Sequence, residues 1–448
     1  METISGEEFI EILYSNKSDI SISDYNIEYN QLFIDFERVR TKNPIFFQKI
    51  IFSGKHLNFY NKTENFTPVI QIEDCVFNTD INIEAQFDDI SFRSNTFNCD
   101  KFQIINSKIG VLEFINNDEM TSGNKKNNIF NKGNFKIHNC DFSSIFWLKN
   151  VQFMENTTFD ISSVKFLEAC SIDLVSLNKI QFYSCDFFKE FRYNCNYNSS
   201  QFRECTFSGS TTFEGLLNIN SSFLYFDHCS FSKLANFNNY WLHKLRLEDT
   251  KFLDNVSFQE TYFDIITIVR TDFEKKVWFD DIQIKKIDEC DRRTIRTIKQ
   301  ELQKAENRID FNRFRAYELA AHYEELDWKW NSGFIDKSIL FATKISTDFG
   351  NSWRKALRFT VIGGFVIYLF LYIIENRNVS IDILNWDNWA RLFSGFFRFL
   401  LVTDFYNPLE TDRVYLTNPF SWVLLIFGKI FIAFGIYEMI QSFRKFKA

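Results

Sequence analysis

The sequence predicts a mainly β fold over its first two-thirds, a β-helix with four sides per coil, followed by an α-helical connector and two transmembrane helices. Three observations predict it: bulky side chains that recur every five residues, an unusual aromatic content, and two long apolar segments near the C-terminus. The 448 residues include 56 Phe but only 14 Gly and 4 Pro, and so much Phe needs a regular interior to fill.

The β-helix is predicted over 70–290. Phe231, Phe237, Leu242, Leu247 and Phe252 follow one another in steps of 6, 5, 5 and 5, and Phe252, Phe258, Phe263, Ile268 and Phe273 repeat the same steps. Neither the helical period of 3.6 nor the strand period of 2 explains such a run. A 21-residue coil with one inward apolar residue per side explains it, and coils of this kind bury their edges by stacking on their neighbours. Two positions before many of these Phe stands a small residue, as in Cys75-Val76-Phe77, Cys140-Asp141-Phe142, Cys229-Ser230-Phe231 and Thr271-Asp272-Phe273. It fills the gap between bulky layers. That position accounts for most of the nine cysteines, Cys75, Cys99, Cys140, Cys170, Cys185, Cys195, Cys205, Cys229 and Cys290, which form no CxxC pair and have no histidine placed to complete a zinc site. Reduced thiols in a cytosolic domain are expected, because the N-terminus shows no basic segment leading into an apolar one.

Cys205-Thr206-Phe207-Ser208-Gly209, Ala235-Asn236-Phe237-Asn238-Asn239 and Val256-Ser257-Phe258-Gln259-Glu260 resemble pentapeptide repeats. The resemblance implies a right-handed quadrilateral β-helix. It covers about half the chain and departs from the family pattern in using Phe for the usual Leu. Further departures are the 24 residues from Phe207 to Phe231 and the polar stretch Asn116 to Asn134, read as a protruding loop. Residues 1–69 are expected to hold an N-terminal cap and irregular first coils. Ser5 and Glu8 have the spacing of a capping box that opens a helix over Phe9, Ile10, Ile12 and Leu13.

The connector spans 291–350. Ile295, Ile298, Leu302, Ala305, Ile309, Ala316, Leu319, Tyr323, Leu326 and Trp330 alternate in steps of three and four, with Asn312 at the one polar position. Such a stripe needs a partner. One reading is a helix, or a hairpin broken near Asp310, packed against the end of the β-helix. The other is an oligomerising coiled coil whose register Asn312 helps to fix.

The membrane module spans 351–448. Its first transmembrane helix is expected at about 356–375 and its second at about 420–441. Lys344, Arg354, Lys355 and Arg358 before the first, with Arg444, Lys445 and Lys447 after the second, place both termini in the cytoplasm. Between the spans, 388–402 is too short to cross and is expected to lie in the interface or to re-enter. The ending Phe443-Arg444-Lys445-Phe446 and the membrane-proximal Ile345-Ser346-Thr347-Asp348-Phe349-Gly350-Asn351-Ser352-Trp353 resemble a group of bacterial pentapeptide-repeat membrane proteins with channel-like C-termini. That resemblance implies a bacterial inner-membrane protein. Val402-Thr403-Asp404-Phe405-Tyr406-Asn407-Pro408 lacks the TxGYG run of a potassium filter, so potassium selectivity of that type is not expected.

Lys429 falls near the middle of the second span, where a lysine costs about 2.5–3.5 kcal/mol unless it meets water or a partner. Either it finds polar backbone, or it lines a hydrated oligomeric pathway with Arg398 at the outer mouth. Arg391, Thr403 and Asp404 complete the polar candidates of this region.

Elsewhere the residues carry little chemistry. The five histidines are scattered, no GxxxxGK[ST], GxGxxG or GxSxG run occurs, and Asp88-Asp89 and Asp280-Asp281 read as solvated faces. No enzyme, metal or cofactor is expected. The first 290 residues carry a net charge of -12 and the remainder +5, a balance that suits anionic headgroups at the C-terminal part and offers no basic patch for nucleic acid. Expected partners are the lipid bilayer, further copies of the chain and an unknown cytosolic protein. Two functions follow: an oligomeric channel-like or permeability effector, or a membrane-anchored scaffold without transport. Imitation of DNA by the acidic β-helix, the third reading, sits poorly with membrane tethering.

Overall fold

Among the described residues thirty strands, all paired in parallel to strands of neighbouring coils, wind the first unit, Met1–Thr297, into a β-solenoid of about 11 turns. The computed structural model describes every residue except 16–17, 40, 42, 64–66, 116–126, 155–156, 216–221, 330–332, 376–385, 411 and 445–448. Trp330, Lys445, Phe446, Lys447 and the first part of the expected loop at 116–134 lie outside the described residues. Within the rest of that stretch Asn128–Phe130 is a strand paired with Val151–Phe153, and a short irregular turn at 131–133 follows it.

The five-residue steps become vertical columns. Phe231, Phe252 and Phe273 pair in register, as do Leu242, Phe263 and Ile284, and Leu247 with Ile268. Phe237, Phe258 and Phe279 stack at 4.9 and 5.1 Å between ring centroids. One aromatic column runs without interruption through Phe142, Phe166, Phe187, Phe207, Phe231, Phe252 and Phe273, with centroids 4.5–5.5 Å apart and rings within 12° of parallel. Stacked turns hold the rings at the strand spacing, and parallel, closely spaced rings are the outcome.

Each coil has a corner that the amino-acid pattern does not announce. The residue just before the small position is left-handed at Asp74, Asn139, Ser184, Glu204, His228, Asp249 and Arg270, with φ between 47° and 53°. The small residue then turns inward and donates to the carbonyl two residues back: Cys140 to His138 at 3.2 Å, Cys205 to Arg203 at 3.2 Å, Thr250 to Glu248 at 2.9 Å and Thr271 to Val269 at 3.3 Å. Cys and Thr share this place because both are small and carry a donor. In two turns Asn replaces them and forms a buried ladder, Asn95 N–H donating to Asn128 Oδ1 at 2.9 Å and the Cys75 N–H to Asn95 Oδ1 at 2.8 Å.

The solenoid starts earlier than expected. Glu2–Ser5 already pairs with Tyr25–Glu28, and coils within 1–69 stack with wider spacing, Ile20, Ile45 and Ile70 standing 25 residues apart in one column. Helix α1, Gly6–Tyr14, opens with the expected capping box: Ser5 Oγ accepts from the Glu8 N–H and the Glu8 carboxylate from the Ser5 N–H. Its buried Phe9 rests on Phe47 and Phe52, both 5.9 Å away, and so closes the apolar interior.

The second unit, Ile298–Ala448, is helical. Helix α2 runs Arg292–Lys304 across the boundary between the units, α3 Arg308–Glu325, α4 Phe334–Thr347, α5 Trp353–Glu375, α6 Trp386–Leu400 and α7 Pro419–Arg444. The connector breaks at Ala305–Asn307, slightly before Asp310: Glu306 is left-handed, and Asn307 caps α3 by accepting from the Asp310 N–H at 3.1 Å. Ile309 is 69% exposed and does not belong to the stripe. Ala316, Leu319 and Tyr323 find their partner in Leu340 and Phe349, which makes α3 and α4 an intrachain pair. Helices α5 and α7 are each long and apolar enough to cross a membrane, and they present Ile362, Val366, Phe370, Val423, Phe427 and Ile430 outward.

Candidate functional site

The second unit brings Lys429, Arg398 and the stretch that carries Asp404 together at the end of α6. Helix α6 packs against α5 and α7: Phe396 meets Phe365 edge-on at 5.1 Å, and Phe399 lies 5.6 Å from Tyr368. Glycine makes the approach possible, since a Cβ at Gly395 would collide with the Tyr368 hydroxyl and one at Gly428 with the Phe399 ring. Tyr368 in α5 faces Phe396, and Gly364, one turn earlier, faces Leu400. Helix α6 therefore runs antiparallel to α5 and ends beside the middle of both long helices. Its 15 residues cover about 22 Å, less than the ~30 Å core of a bilayer.

A helix that ends among apolar neighbours leaves its last carbonyls without partners. Lys429 supplies them. Its Nζ donates to the carbonyls of Phe399 at 2.8 Å, Leu401 at 2.7 Å and Arg398 at 3.4 Å, and it sits 5.2 Å from the Phe399 ring centroid. The ammonium thus meets the negative end of the α6 dipole, where a cation is stabilised. Lys429 is 3% exposed, and of the two readings of its sequence position the polar-backbone one describes this geometry.

After Leu400 the chain turns back without forming helix. Asp404 Oδ1 accepts from the Tyr406 N–H and Asn407 Oδ1 from the Leu409 N–H, both at 3.1 Å. The Arg398 guanidinium donates to the Glu410 carbonyl, which ties the returning stretch to α6. The rings of Tyr406 and Tyr415 lie 5.0 Å apart and tilted by 36°, and the Trp422 indole donates to Leu416 O at 2.8 Å. Arg391 and Thr403 are exposed, apart from the Lys429 cluster. Asn312 is spent locally, its Nδ2 donating to Arg308 O at 2.8 Å.

The solenoid offers a second candidate surface. A groove of about 410 Å³ is lined by Trp147, Lys149, Ser171, Asp173, Glu190, Arg192 and Asn194. Trp147, Ser171 and Arg192 follow one another in register on three successive coils, so the groove is one outer face of the stack. It pairs an exposed aromatic ring with charges of both signs, the composition of a protein-binding surface.

Two acidic sites need comment. His228 Nδ1 meets Asp227 Oδ1 at 2.7 Å, and Asp249 lies close enough to complete a three-ligand group. Arg270 already holds Asp249 through bonds of 2.6 and 2.7 Å, so the group is a charge-balanced exposed ladder. Asp89 departs from the solvated face expected of it: it is half-buried, and its Oδ1 has no hydrogen-bond partner. Burial, aided by Glu113, pushes its carboxyl up to about 6. A carboxyl with a raised folded-state pKa lends stability below its unfolded value near 4 and loses it as pH rises through about 6. Asp89→Asn is expected to raise the thermal midpoint at pH 7.5 and to leave it unchanged at pH 4; an equal shift at both would place the effect outside this titration.

All nine cysteines are free and buried. Burial pushes the Cys75 and Cys99 thiols up to about 12 and Cys140 to about 11, which removes the thiolate that metal binding and nucleophilic attack require. A maleimide is expected to modify none of them until denaturant is added, as read by intact-mass spectrometry. A labelled thiol in the native protein would contradict the ladder.

Comparison with protein families, curated proteins and solved structures found no match. The geometry alone therefore defines the class: a β-solenoid protein with two helices fit to anchor it in a membrane.

Proposed function

We propose that this chain is an inner-membrane protein of bacterial type that assembles from several copies into a channel-like or permeability-altering module, with the β-solenoid as its cytosolic interaction domain. The observation that carries the proposal is helix α6, too short to span a bilayer, with its non-helical return. Backbone without regular hydrogen bonding is tolerated at membrane depth only where protein or water covers it. The return stretch exposes Leu401 and Tyr415, at 57% and 58%, together with Thr403 and Phe405. Among the described residues of one chain nothing covers them, whereas neighbouring copies around a hydrated axis would. Lys344, Arg354, Lys355 and Arg358 support a cytosolic start for α5.

The test is particle mass in lipid nanodiscs together with planar-bilayer recording. The proposal expects a closed ring of copies and a conductance that changes in Thr403→Lys. A single chain per disc and a silent bilayer would leave the other reading, an anchored scaffold, which the groove at Trp147 favours.

A further inference from the structure

The connector ends in a helix whose outer face is largely uncovered among the described residues, with Trp328 meeting Phe341 edge-on at 5.9 Å. On α4, Ile335, Ile339, Phe341 and Ile345 are 73%, 57%, 42% and 48% exposed, and at 100° per residue they fall on one continuous arc. The opposite arc is occupied. Lys337 donates to Leu326 O and lies 4.9 Å from the Tyr323 ring centroid, Lys344 reaches Glu324 at 3.1 Å, and Leu340 packs in the α3 cluster. The cationic side of α4 thus faces α3, and its greasy side faces outward, the reverse of what an ordinary cytosolic helix shows.

The position of α4 names what covers that arc. Its C-terminal end is fixed to α7 by Thr347 Oγ1, which donates to the buried Glu438 carboxylate at 2.9 Å. Asp348, Phe349 and Gly350 then reverse the chain with φ of 58°, 58° and 84°, and α5 starts at Trp353. Trp353 stacks on Phe443 of α7 at 5.5 Å. The C-terminal end of the arc therefore adjoins the point where α5 begins and α7 ends its apolar course, and Leu357 and Val361 in the first turns of α5 are exposed at 42% and 39%. Arg354 and Lys355 at that level suit anionic headgroups.

We propose that α4 is an interfacial helix, lying at the surface of the same bilayer that α5 and α7 cross, with Ile335, Ile339, Phe341 and Ile345 among the headgroups and upper acyl chains. The proposal rests on the membrane reading of α5 and α7. The buried native thiols leave introduced cysteines as the reactive ones, so the test uses the full chain carrying Ile339→Cys or Ile345→Cys, with Val366→Cys in α5 as reference. Each is labelled with an environment-sensitive fluorophore and reconstituted in phosphatidylethanolamine and phosphatidylglycerol vesicles. Labels at 339 and 345 should lose most of their emission to a lipid nitroxide placed near the headgroup, less to one near the chain end, and little to aqueous iodide; the label at 366 should respond most to the deep nitroxide. Should 366 respond to lipid while 339 and 345 respond only to iodide, α4 is an aqueous helix and the proposal is overturned with the spans intact. If 339 and 345 are shielded from both quenchers, another protein surface covers them and the proposal is equally overturned. A label at 366 blind to lipid overturns the membrane reading and this proposal together. Phe341→Cys provides a further position on the same arc should either isoleucine variant fail to fold.

Discussion

Phe207→Ala is expected to destabilise the solenoid by about 3–5 kcal/mol, the range for emptying a buried Phe site. The ring is fully buried and stacks on Phe187 at 4.8 Å and Phe231 at 4.5 Å, with Phe191 at 5.3 Å across the interior. Its loss removes contacts at two inter-turn interfaces at once. In a stacked array those interfaces carry the cooperativity, so the urea transition followed by far-UV circular dichroism should move to lower denaturant and broaden. Phe188→Ala, at a 44% exposed ring in the preceding coil, should stay within about 0.5 kcal/mol of wild type. Equal effects at the two sites would mean that the column does not form.

Lys429→Met is the second large effect. Methionine fills a similar volume without donors, which leaves the carbonyl of Phe399 unsatisfied where α6 ends among apolar side chains, while Leu401 O keeps the Asp404 N–H at 3.1 Å. Each buried unpaired group costs about 1–3 kcal/mol. Relief from burying an ammonium offsets part of that, so a net loss of about 1–2 kcal/mol is expected, read as a lower midpoint of thermal unfolding in detergent. Lys429→Arg keeps donors but alters their geometry, and it should fall between methionine and wild type. If methionine leaves the midpoint unchanged while altering conductance in bilayers, the residue serves a pathway and not the end of a helix.

The parts of the fold legible in the sequence are those in which side-chain type carries the information. Phe, Leu and Ile at five-residue steps mark the inward columns from Phe231 to Phe273, Ser5 and Glu8 mark α1, and unbroken apolar runs mark α5 and α7. Residues 1–69 concealed their regularity because the column Ile20, Ile45, Ile70 repeats at 25 residues, a wider coil than the 21-residue one that sets the phase later. The left-handed corners were illegible for a different reason. Asp, Asn, Ser, Glu, His and Arg all occupy them, so the stacked turn and the inward Cys or Thr impose the conformation at a cost of roughly 1–2 kcal/mol each, whatever the residue.

At the candidate site, sequence marked Lys429 as a misplaced charge without revealing its partners. Those partners are backbone carbonyls some thirty residues away, and no residue type signals a carbonyl. Asn312 stood out as the polar interruption of an apolar stripe, yet the stripe is satisfied by Leu340 and Phe349 of the same chain. The arc of Ile335, Ile339, Phe341 and Ile345 passed unnoticed in a segment read as one cytosolic connector. A signal was present there: isoleucines at steps of four and six on a helix whose lysines point to the other side.

Washing isolated membranes with alkaline carbonate tests the central claim most directly, because it strips peripheral proteins and leaves those whose helices cross the bilayer. The full chain should remain in the pellet after the wash and enter solution only with detergent. Its recovery in the carbonate supernatant would contradict the assignment of α5 and α7 as spans.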